Sequence, residues 1–294
     1  MIPAHNKAPA AYDHGRHAGN HGDVLKHVLL DGLLEWWMLC HPNGVSVVDT
    51  HAAAGFYRLA ATGEWQRGYG RVLEVATSRA GRSPAPSLVE RWLNQPPQSS
   101  FRRDGDPSHY AGSATQLSTR LRPVDRLWCT EQDAATAATL KTRMERQPLA
   151  TVLHADGLDA ALWQSTLPAD RPAVVFIDPP YAAADEWNAL PTFVRALEEA
   201  LEQPLLVVVW YPLKGRSRPA RLRRSLMEGS GLRWWTCEGV VDDTAAERGE
   251  MAGSGLMAGW RGAGRPDVAM LAGAAAWLVE TMGVRDRWSL QVRG

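Results

Sequence analysis

The sequence predicts an α/β fold built around one mostly parallel sheet. Strand-like apolar runs alternate with helical patterns along the chain, which is typical of such sheets. The chain has 294 residues, 45% of them hydrophobic and 22% charged, enough for one large domain with a sizeable core. Several strand-like runs end in an acidic residue, which places carboxylates at the sheet edge where open α/β folds bind ligands.

The predicted strands are short runs rich in β-branched residues. In chain order they cover residues 45–49, 126–130, 151–154, 173–177 and 205–210, with a weaker one at 234–238. Helices are predicted over residues 23–39, 133–146, 186–200 and 219–228, where apolar residues recur at helical spacing. After Gly255 the sequence does not locate the last strand and helix.

Residues 56–112 break this alternation. The segment contains no convincing strand, and five prolines (Pro84, Pro86, Pro96, Pro97 and Pro107) interrupt it. We therefore predict a small helical insert after the first strand, although a loop excursion on the surface fits the segment equally well. The chain then divides into 1–55, the lead-in and the start of the core; 56–112, the insert; and 113–294, the remainder of the core.

Charge and cysteine usage restrict the class of protein. Lys+Arg and Asp+Glu balance at 32 each, so a nucleic-acid partner would have to meet a local basic patch. The three cysteines lack CxxC spacing, which favours reduced thiols over a disulfide framework or a zinc site. No run of eighteen apolar residues and no apolar signal core is present, so we expect a cytoplasmic protein without membrane contact.

The motif Asp178-Pro179-Pro180-Tyr181 is the most informative part of the chain. It follows an apolar β-branched run, so Asp178 should lie at the carboxyl end of a buried strand. The prolines keep the backbone extended and remove two N–H donors, which leaves the Pro179 carbonyl free to accept. Tyr181 offers a face on which a planar base can stack. A turn leaving a buried strand is the alternative, but these residues together predict capture of the amino group of a nucleic-acid base.

Three further acids suggest a nucleotide-like cofactor. Asp49 ends the first strand and precedes the small-residue loop 50–55, where a ligand can approach the backbone closely. Glu131 ends the second strand, a position suited to ribose hydroxyls, and Asp156 follows the third, suited to an adenine amino group. Each acid alone is often only a helix N-cap. The loop is neither a GxGxxG nor a P-loop, and the order fits S-adenosylmethionine beside an amine substrate.

A histidine cluster lies near the start of the chain, at His14, His17, His21 and His27. The i, i+4 spacing of His17 and His21 invites a metal site, but cysteine partners are missing and methyl transfer needs no metal. Ordinary capping of a helix that begins near Asn20 is a second interpretation. We favour a third, in which Lys26 and His27 reach the cofactor carboxylate and residues 15–20 fold over the substrate.

A basic segment follows the strand that ends at residue 210. Residues 214–224 contain six Lys or Arg, and we predict phosphate contacts for Lys214, Arg216 and Arg218. A solvated helix face is the alternative for such a charge run. Arg102 and Arg103 on the insert form a weaker second patch.

The segment from His17 to His27, HAGNHGDVLKH, closely resembles the N-terminal signature of the RlmJ family, enzymes that methylate N6 of one adenine in bacterial 23S ribosomal RNA. The resemblance continues through residues 49–55, 112–113, 130–131, 156–157, 178–181 and 210–212, and spans roughly residues 12–255. It implies a Rossmann-like class I S-adenosylmethionine-dependent methyltransferase with a small helical insert after the first strand.

The resemblance also implies roles for individual residues. The positions that match cofactor-binding positions of the family are His27, His51, Ser113, Glu131, Asp156 and Gly157, and Lys26 adjoins them. Asp178 matches the catalytic acid, taken as the proton acceptor, and Tyr12 matches a tyrosine that touches the RNA. The implied partner is 23S ribosomal RNA, protein-free or early in assembly, and we expect a monomer without a metal.

The chain departs from the family pattern at several positions. Ala53 stands where the family usually has a second glycine, and Asp13 and Arg16 replace residues that are normally Arg and Phe. Residues 1–11 extend beyond the usual start, and the usual Asn-Pro-Pro-Trp segment is not recognisable after Gly255.

Two other functions remain open at this stage. The Asp-Pro-Pro-Tyr motif alone does not separate N6 from N4 or RNA from DNA, so methylation of DNA adenine or cytosine is an alternative. A non-catalytic nucleic-acid-binding protein, linked to the use of external DNA on a decayed methyltransferase scaffold, is another. The favoured reaction is direct methyl transfer, with the amine held by Asp178 and the Pro179 carbonyl.

Overall fold

A computed structural model of the chain describes residues 14–78, 84–95, 107–215, 217–284 and 287–294. Among the predicted site residues, Tyr12 and Arg216 lie outside these ranges, as do Asp13, Arg102 and Arg103.

The described residues form helices and strands that alternate through most of the chain. The strands are β1 (Ser46–Asp49), β2 (Phe56–Arg58), β3 (His109–Ala111), β4 (Arg126–Glu131), β5 (Ala150–His154), β6 (Ala173–Ile177), β7 (Leu205–Pro212), β8 (Arg233–Val240), β9 (Gly253–Arg261) and β10 (Ser289–Arg293). The α-helices are α1 (His14–His17), α2 (His21–Cys40), α3 (Tyr69–Thr77), α4 (Ser87–Leu93), α5 (Ser113–Arg120), α6 (Ala134–Met144), α7 (Ala160–Thr166), α8 (Ala184–Ala200), α9 (Ser217–Gly229) and α10 (Val268–Met282). The six predicted strands and four predicted helices are thus confirmed, with no end shifted by more than two residues.

The main sheet has the strand order β10-β8-β9-β7-β6-β1-β4-β5. The central strands β5, β4, β1, β6 and β7 are parallel, and β9 is inserted antiparallel between β7 and β8. After β1 the chain builds β4 and β5 on one side and then returns to place β6 on the other, so the order reverses between β1 and β6. Ligands of open α/β sheets bind at such a reversal, beyond the carboxyl ends of the strands. The predicted α/β fold with a mostly parallel, Rossmann-like sheet is confirmed.

The central strands are buried because helices cover both faces of the sheet. Every residue of β6 is buried, and residues 205–209 of β7 are buried as well. One face packs on α2, α5 and α10, and the other packs on α7, α8 and α9. Burial on both faces explains why these strands read as continuous β-branched runs rather than as an alternating pattern.

Helix α2 positions much of the predicted site. Its N-cap is Asn20, whose side chain accepts a hydrogen bond from the Asp23 amide at 3.0 Å. Most of the helix is buried, including the polar residues Lys26, His27 and Asp31. Buried polar side chains on a helix require partners, and these three point toward the contacts described below.

The prediction that residues 56–112 lack a strand is wrong. Strands β2 and β3 pair antiparallel at the two ends of the segment, with Phe56 opposite Ala111. The Gly112 amide also donates to the Gly55 carbonyl at 2.8 Å, so the segment returns to the place where it leaves the core. Strands of three residues lie below the length that an alternating pattern can reveal. Helices α3 and α4 lie between them, as expected of a helical insert.

Candidate active site

Two strained residues mark the carboxyl edge of the sheet. Among the described residues other than glycine, only Ala53 (φ 47°) and Tyr181 (φ 54°) have positive φ. Ala53 lies in the loop after β1 and Tyr181 in the loop after β6, the two strands that flank the reversal of strand order. Left-handed backbone in a side-chain-bearing residue costs about 1–3 kcal/mol and concentrates at functional sites. Both loops are therefore candidates for ligand binding.

Asp178 lies at the centre of this edge and is paired with Lys26. The Lys26 Nζ donates to Asp178 Oδ2 and to Asp23 Oδ1, each at 2.7 Å. All three side chains are largely buried, with 7%, 16% and 22% of Lys26, Asp178 and Asp23 exposed. Burial raises the pKa of Asp178, and the nearby Lys26 ammonium only partly opposes this effect. For Lys26 itself, burial alone would lower the pKa, but Asp178 and Asp23 raise it, so Lys26 remains charged.

Asp49 is fully buried at the end of β1 and is close to Asp178. Burial raises the pKa of Asp49 to about 7, the Ser113 hydroxyl lowers it by donating a hydrogen bond, and Asp178 raises it by charge repulsion. The Asp49 Oδ2 atom has no hydrogen-bond partner among the described residues. A buried carboxylate oxygen without a partner is costly, so this atom points to a donor or cation that the site receives from a ligand.

His27 offers a second buried atom of this kind. Its Nδ1 lies 2.8 Å from the hydroxyl of Tyr110, a residue of β3 in the insert, and its Nε2 has no partner among the described residues. Burial and the Lys26 charge lower the pKa of His27 to about 3, so the ring is neutral. The insert thus holds one face of the predicted cofactor site in place through Tyr110.

His51, Glu131 and Asp156 lie near one another on the other side of the β1 loop. Burial lowers the pKa of His51 to about 4, while Asp156 and Glu131 act in the opposite direction through their charges. The Thr50 hydroxyl donates to the Phe176 carbonyl at 3.0 Å and lies 2.7 Å from His51 Nδ1. Because that hydroxyl proton is already used, His51 Nδ1 is the donor, which leaves Nε2 as an acceptor.

Packing between two loops requires glycine at position 157, whether or not a ligand is bound. A Cβ atom there would come within 2.1 Å of the Thr50 carbonyl oxygen and 2.5 Å of Thr130 Oγ1. The Thr130 hydroxyl in turn donates to the Thr50 carbonyl at 2.9 Å. Gly157 therefore allows the loop after β5 to contact the loop after β1, which brings Asp156 close to His51.

In the Asp-Pro-Pro-Tyr motif the Pro179 carbonyl is free, as predicted, but Tyr181 is more deeply buried than a stacking role predicts. No described residue donates a hydrogen bond to the Pro179 carbonyl. Only 8% of Tyr181 is exposed; its ring centre lies 4.4 Å from that of Trp187, and its hydroxyl donates to the Trp210 carbonyl. Lys26 Nζ also lies over the Trp210 ring, 5.1 Å from its centre.

Sequence reasoning missed Tyr110, Trp187 and Trp210 as neighbours of the site. Trp210 ends the predicted strand 205–210, so the rule that drew attention to Asp178 at a strand end could have drawn attention to it as well. Tyr110 lies in a segment predicted to have no strand, and Trp187 lies in a helix with an ordinary amphipathic pattern, so neither gave a local signal.

The basic segment lies beyond β7. Lys214 and Arg218 are exposed, whereas Arg223 forms an ion pair with the buried Glu238 of β8. The segment therefore combines structural and solvent-facing basic residues.

The N-terminal lead-in packs against the insert. His17 Nδ1 lies 2.8 Å from Glu64 Oε1, the Asn20 amide group donates to Glu64 Oε2, and the Tyr69 amide donates to the Gly19 carbonyl. His21 is partly buried, and desolvation lowers the pKa of its ring. Within the described ranges, no group of three or more His, Cys, Asp or Glu residues is arranged to hold a metal ion. No helix in the same ranges is long and apolar enough to cross a membrane.

Comparison with known proteins agrees with this geometry. Residues 43–266 match the model of a family described as "Ribosomal RNA large subunit methyltransferase D, RlmJ". The chain is 30% identical over 231 residues to ribosomal RNA large subunit methyltransferase J of Haemophilus influenzae, covering 76% of this chain and 77% of that protein. It is 29% identical over 230 residues to the protein of the same name in Escherichia coli, with the same coverage. A crystal structure of a Legionella pneumophila protein has the same fold, with a TM-score of 0.80 at 23% identity over 95% of this chain and 98% of that one.

These matches confirm three predictions made from the sequence: an enzyme, methyl transfer to ribosomal RNA, and S-adenosylmethionine as the cofactor. The family match covers more than half of the chain and both strands that flank the site. The chain therefore belongs to the RlmJ family of ribosomal RNA large subunit methyltransferases.

Proposed function

We propose that this enzyme methylates the N6 amino group of an adenine in 23S ribosomal RNA. The observation that carries the proposal is the buried Asp178 carboxylate, held by Lys26 at the carboxyl edge of the sheet beside a carbonyl without a hydrogen-bond partner. An exocyclic amine has two hydrogens to donate, and this edge offers two acceptors. The relatives named as ribosomal RNA large subunit methyltransferase J support the RNA substrate.

The two unpartnered buried atoms fit the amino-acid end of S-adenosylmethionine. Asp49 Oδ2 suits its ammonium group, and His27 Nε2, with Lys26 behind it, suits its carboxylate. Glu131 suits the ribose hydroxyls, Asp156 the adenine amine, and His51 and Ser113 line the space between them. When bound, the cofactor supplies a methyl group activated by its sulfonium charge.

Asp178 orients the substrate amine through the oxygen that Lys26 leaves free. Lys26 binds Oδ2, and no described residue donates to Oδ1, so Oδ1 accepts one N6 hydrogen while the Pro179 carbonyl accepts the other. The amine becomes acidic only as the new C–N bond forms, so Asp178 receives the proton late. Burial raises the pKa of Asp178, which makes it a better proton acceptor than an exposed carboxylate.

Tyr181 supports the base, and the small exposed part of its ring limits where the base can make contact. With only 8% of the residue exposed and one side covered by Trp187, the base lies against the remaining surface of the ring. Reaching that position requires an adenine that has left its stack, which costs a few kcal/mol and least in unpaired RNA. Contacts of Tyr12, Lys214, Arg216 and Arg218 with the RNA would offset that cost. This reasoning favours RNA that is protein-free or early in assembly. We further propose that the enzyme acts as a monomer in the cytoplasm.

The test is methyl transfer from labelled S-adenosylmethionine to protein-free 23S RNA, with DNA of matched sequence alongside and nucleoside analysis of the product. N6-methyladenosine in RNA alone is expected. Label in DNA, or another methylated nucleoside, would contradict the proposal.

The role of Asp178 has its own test. Asp178→Ala should reduce transfer at least about 1,000-fold, an effect of about 4 kcal/mol, because the carboxylate that orients N6 and accepts its proton is lost. Cofactor affinity measured by calorimetry should stay within about threefold, since Asp178 faces the substrate. Turnover near that of the unmodified enzyme would remove Asp178 from the mechanism.

A further inference from the structure

A small cavity lies between helices α8 and α9, next to the proposed base site. It has a volume of about 140 Å³ and is lined by Trp187, Asn188, Pro191, Arg218, Arg221, Leu222 and Ser225. The first of these, Trp187, is also the residue whose ring lies 4.4 Å from the ring of Tyr181. Trp187 therefore contacts both the cavity and Tyr181 of the Asp-Pro-Pro-Tyr motif. Both helices begin at the carboxyl edge of the sheet, and the cavity lies near their first turns.

The charges on α9 oppose the stability of that helix. Arg218, Arg221 and Arg224 follow one another at i, i+3 spacing, so like charges are neighbours on one face. The helix dipole favours acidic residues in the first turn and basic residues in the last turn. Helix α9 has no acid in its first turn and no base in its last turn. Within the described ranges, none of these three arginines forms an ion pair with an acid, whereas Arg223 pairs with Glu238. An anion at the start of α9 would compensate for this arrangement.

The polar character of the cavity indicates the chemistry of that anion. Arg218 and Arg221 both line it, and Arg is the side chain best suited to phosphate oxygens because its donors form a planar fork. Trp187 is 6% exposed, and its indole N–H has no hydrogen-bond partner among the described residues. At about 140 Å³ the cavity is smaller than the 300–1,000 Å³ typical of sites for whole small molecules, so it suits a phosphate group rather than a complete nucleotide.

We propose that this cavity binds a backbone phosphate of the RNA strand beside the methylated adenine, with Arg218 and Arg221 as its ligands. The inference rests on the proposed function, and it adds Arg221 to the substrate contacts predicted from the sequence. A phosphate fixed here, next to Tyr181, sets the position at which the strand must turn its base toward Asp178. The site determines register on the strand but does not read the sequence.

The test uses the full chain and a double variant, Arg218→Ala with Arg221→Ala. Its dissociation constant for protein-free 23S RNA is measured by filter binding over a series of KCl concentrations, alongside the kinetics of transfer. The matched control is Arg195→Ala. Arg195 is an exposed arginine of the same helix pair, but it lines a different depression with Glu198 and Glu228, toward the opposite ends of the helices.

The double variant should bind RNA about tenfold or more weakly and raise KM for RNA with little change in kcat. The slope of log affinity against log salt should fall by about one for each arginine removed. Its melting temperature should stay the same or rise, because the substitutions relieve like-charge repulsion on α9. A purely structural role would instead lower the melting temperature. Cofactor affinity should not change.

The possible failures are distinguishable. If the double variant has the same RNA affinity and salt slope as Arg195→Ala, the phosphate site is wrong, whatever the enzyme methylates. If the unmodified enzyme transfers no methyl group to RNA while the double variant still loses RNA affinity and salt slope, the phosphate site stands and the proposed function falls. Equal losses on single-stranded DNA of matched sequence would support the phosphate contact while showing that it does not select RNA.

Discussion

Asp49 is the residue of the proposed cofactor site whose protonation we expect to respond most to cofactor binding. Burial raises the pKa of Asp49 to about 7, so in the free enzyme it is mostly protonated at pH 6 and mostly ionised at pH 8.5. A cationic ligand favours the ionised form. We therefore expect cofactor affinity to rise as the pH rises through about 7, with release of close to one proton on binding at pH 6 and almost none at pH 8.5.

Calorimetry in buffers of different ionisation enthalpy measures this release directly. His51 and His27 have pKa values lowered to about 4 and about 3, so both are neutral across this range and do not contribute. Asp49→Asn should abolish the release, and Asp178→Asn should retain it. Proton release that persists in Asp49→Asn would assign the titration to another group.

The same raised pKa of Asp49 means that the free enzyme loses stability as the pH rises from about 4 through 7, because the folded state binds the proton more tightly than the unfolded state.

Ala53 stores strain that the family's usual glycine would not. Its φ of 47° is accessible to glycine without a Cβ penalty, whereas alanine pays about 1–2 kcal/mol there. Ala53→Gly should therefore raise the free energy of unfolding by about 0.5–1 kcal/mol, even though glycine adds disorder to the unfolded chain. The control is Ala54→Gly, the same change at the next residue, which does not have positive φ and should lose about 0.5–1 kcal/mol. Equal effects at the two positions in urea denaturation would show that no strain is stored.

At the scale of elements, the insert supports the proposed cofactor site. The β2–β3 pair closes the insert against the core and places Tyr110 beside His27. Tyr110→Phe removes the hydroxyl that lies 2.8 Å from His27 Nδ1, so His27 loses its orientation. We expect the dissociation constant for S-adenosylmethionine to rise about five- to tenfold, the equivalent of one net hydrogen bond of about 1 kcal/mol.

Tyr211→Phe is the matched control for that change. Tyr211 is another fully buried tyrosine, and its hydroxyl donates to Glu238 at 3.0 Å, away from His27. Its loss should lower stability and leave cofactor affinity unchanged. Similar cofactor affinities in the two variants would show that the insert does not orient His27.

The sequence predicted a helix or strand where a strong local pattern of residues specifies it. It did not predict a strand that depends on contacts with neighbouring strands. Strand β6 was located to the residue because a fully buried strand reads as an unbroken apolar run. Strand β9 was missed because its glycines normally argue against a strand. In the sheet, Tyr211 lies opposite Gly255 and Trp234 opposite Gly259, and a Cβ at either glycine would meet those rings within 3 Å. The need for glycine at positions 255 and 259 is therefore apparent only when β9 is paired with β7 and β8.

The same distinction holds for the site. The sequence predicted that Asp49, Glu131 and Asp178 share one edge of the sheet, because each lies at the end of a recognisable strand and parallel strands bring their carboxyl ends together. The pairing of Lys26 with Asp178 joins residues 152 positions apart, and nothing in the sequence near either residue indicates it. The contact depends on how α2 crosses the sheet, which is a property of packing.

At the scale of the whole molecule, the insert is attached to the core by a buried ion-pair cluster. Asp31 of α2 is 4% exposed on its side chain and accepts hydrogen bonds from Arg91 of α4 at 3.1 and 3.2 Å. Arg91 also pairs with Glu35, and Arg120 of α5 lies 2.8 Å from Asp31. A carboxylate this deeply buried depends on its partners, because an uncompensated buried charge is strongly destabilising.

Arg91→Ala should therefore lower the free energy of unfolding by about 1–2 kcal/mol, less than the loss of a whole buried pair because Arg120 still faces Asp31. The control is Arg71→Ala in α3, also on the insert. The two arginine side chains are almost equally exposed, at 32% and 35%, but among the described residues Arg71 pairs only with the exposed Glu74. Its loss should cost no more than about 0.5 kcal/mol. Urea denaturation of both variants measures the difference, which isolates the effect of the buried partner. Equal losses would mean that the cluster contributes no more than a surface ion pair, and that apolar packing alone holds the insert against α2.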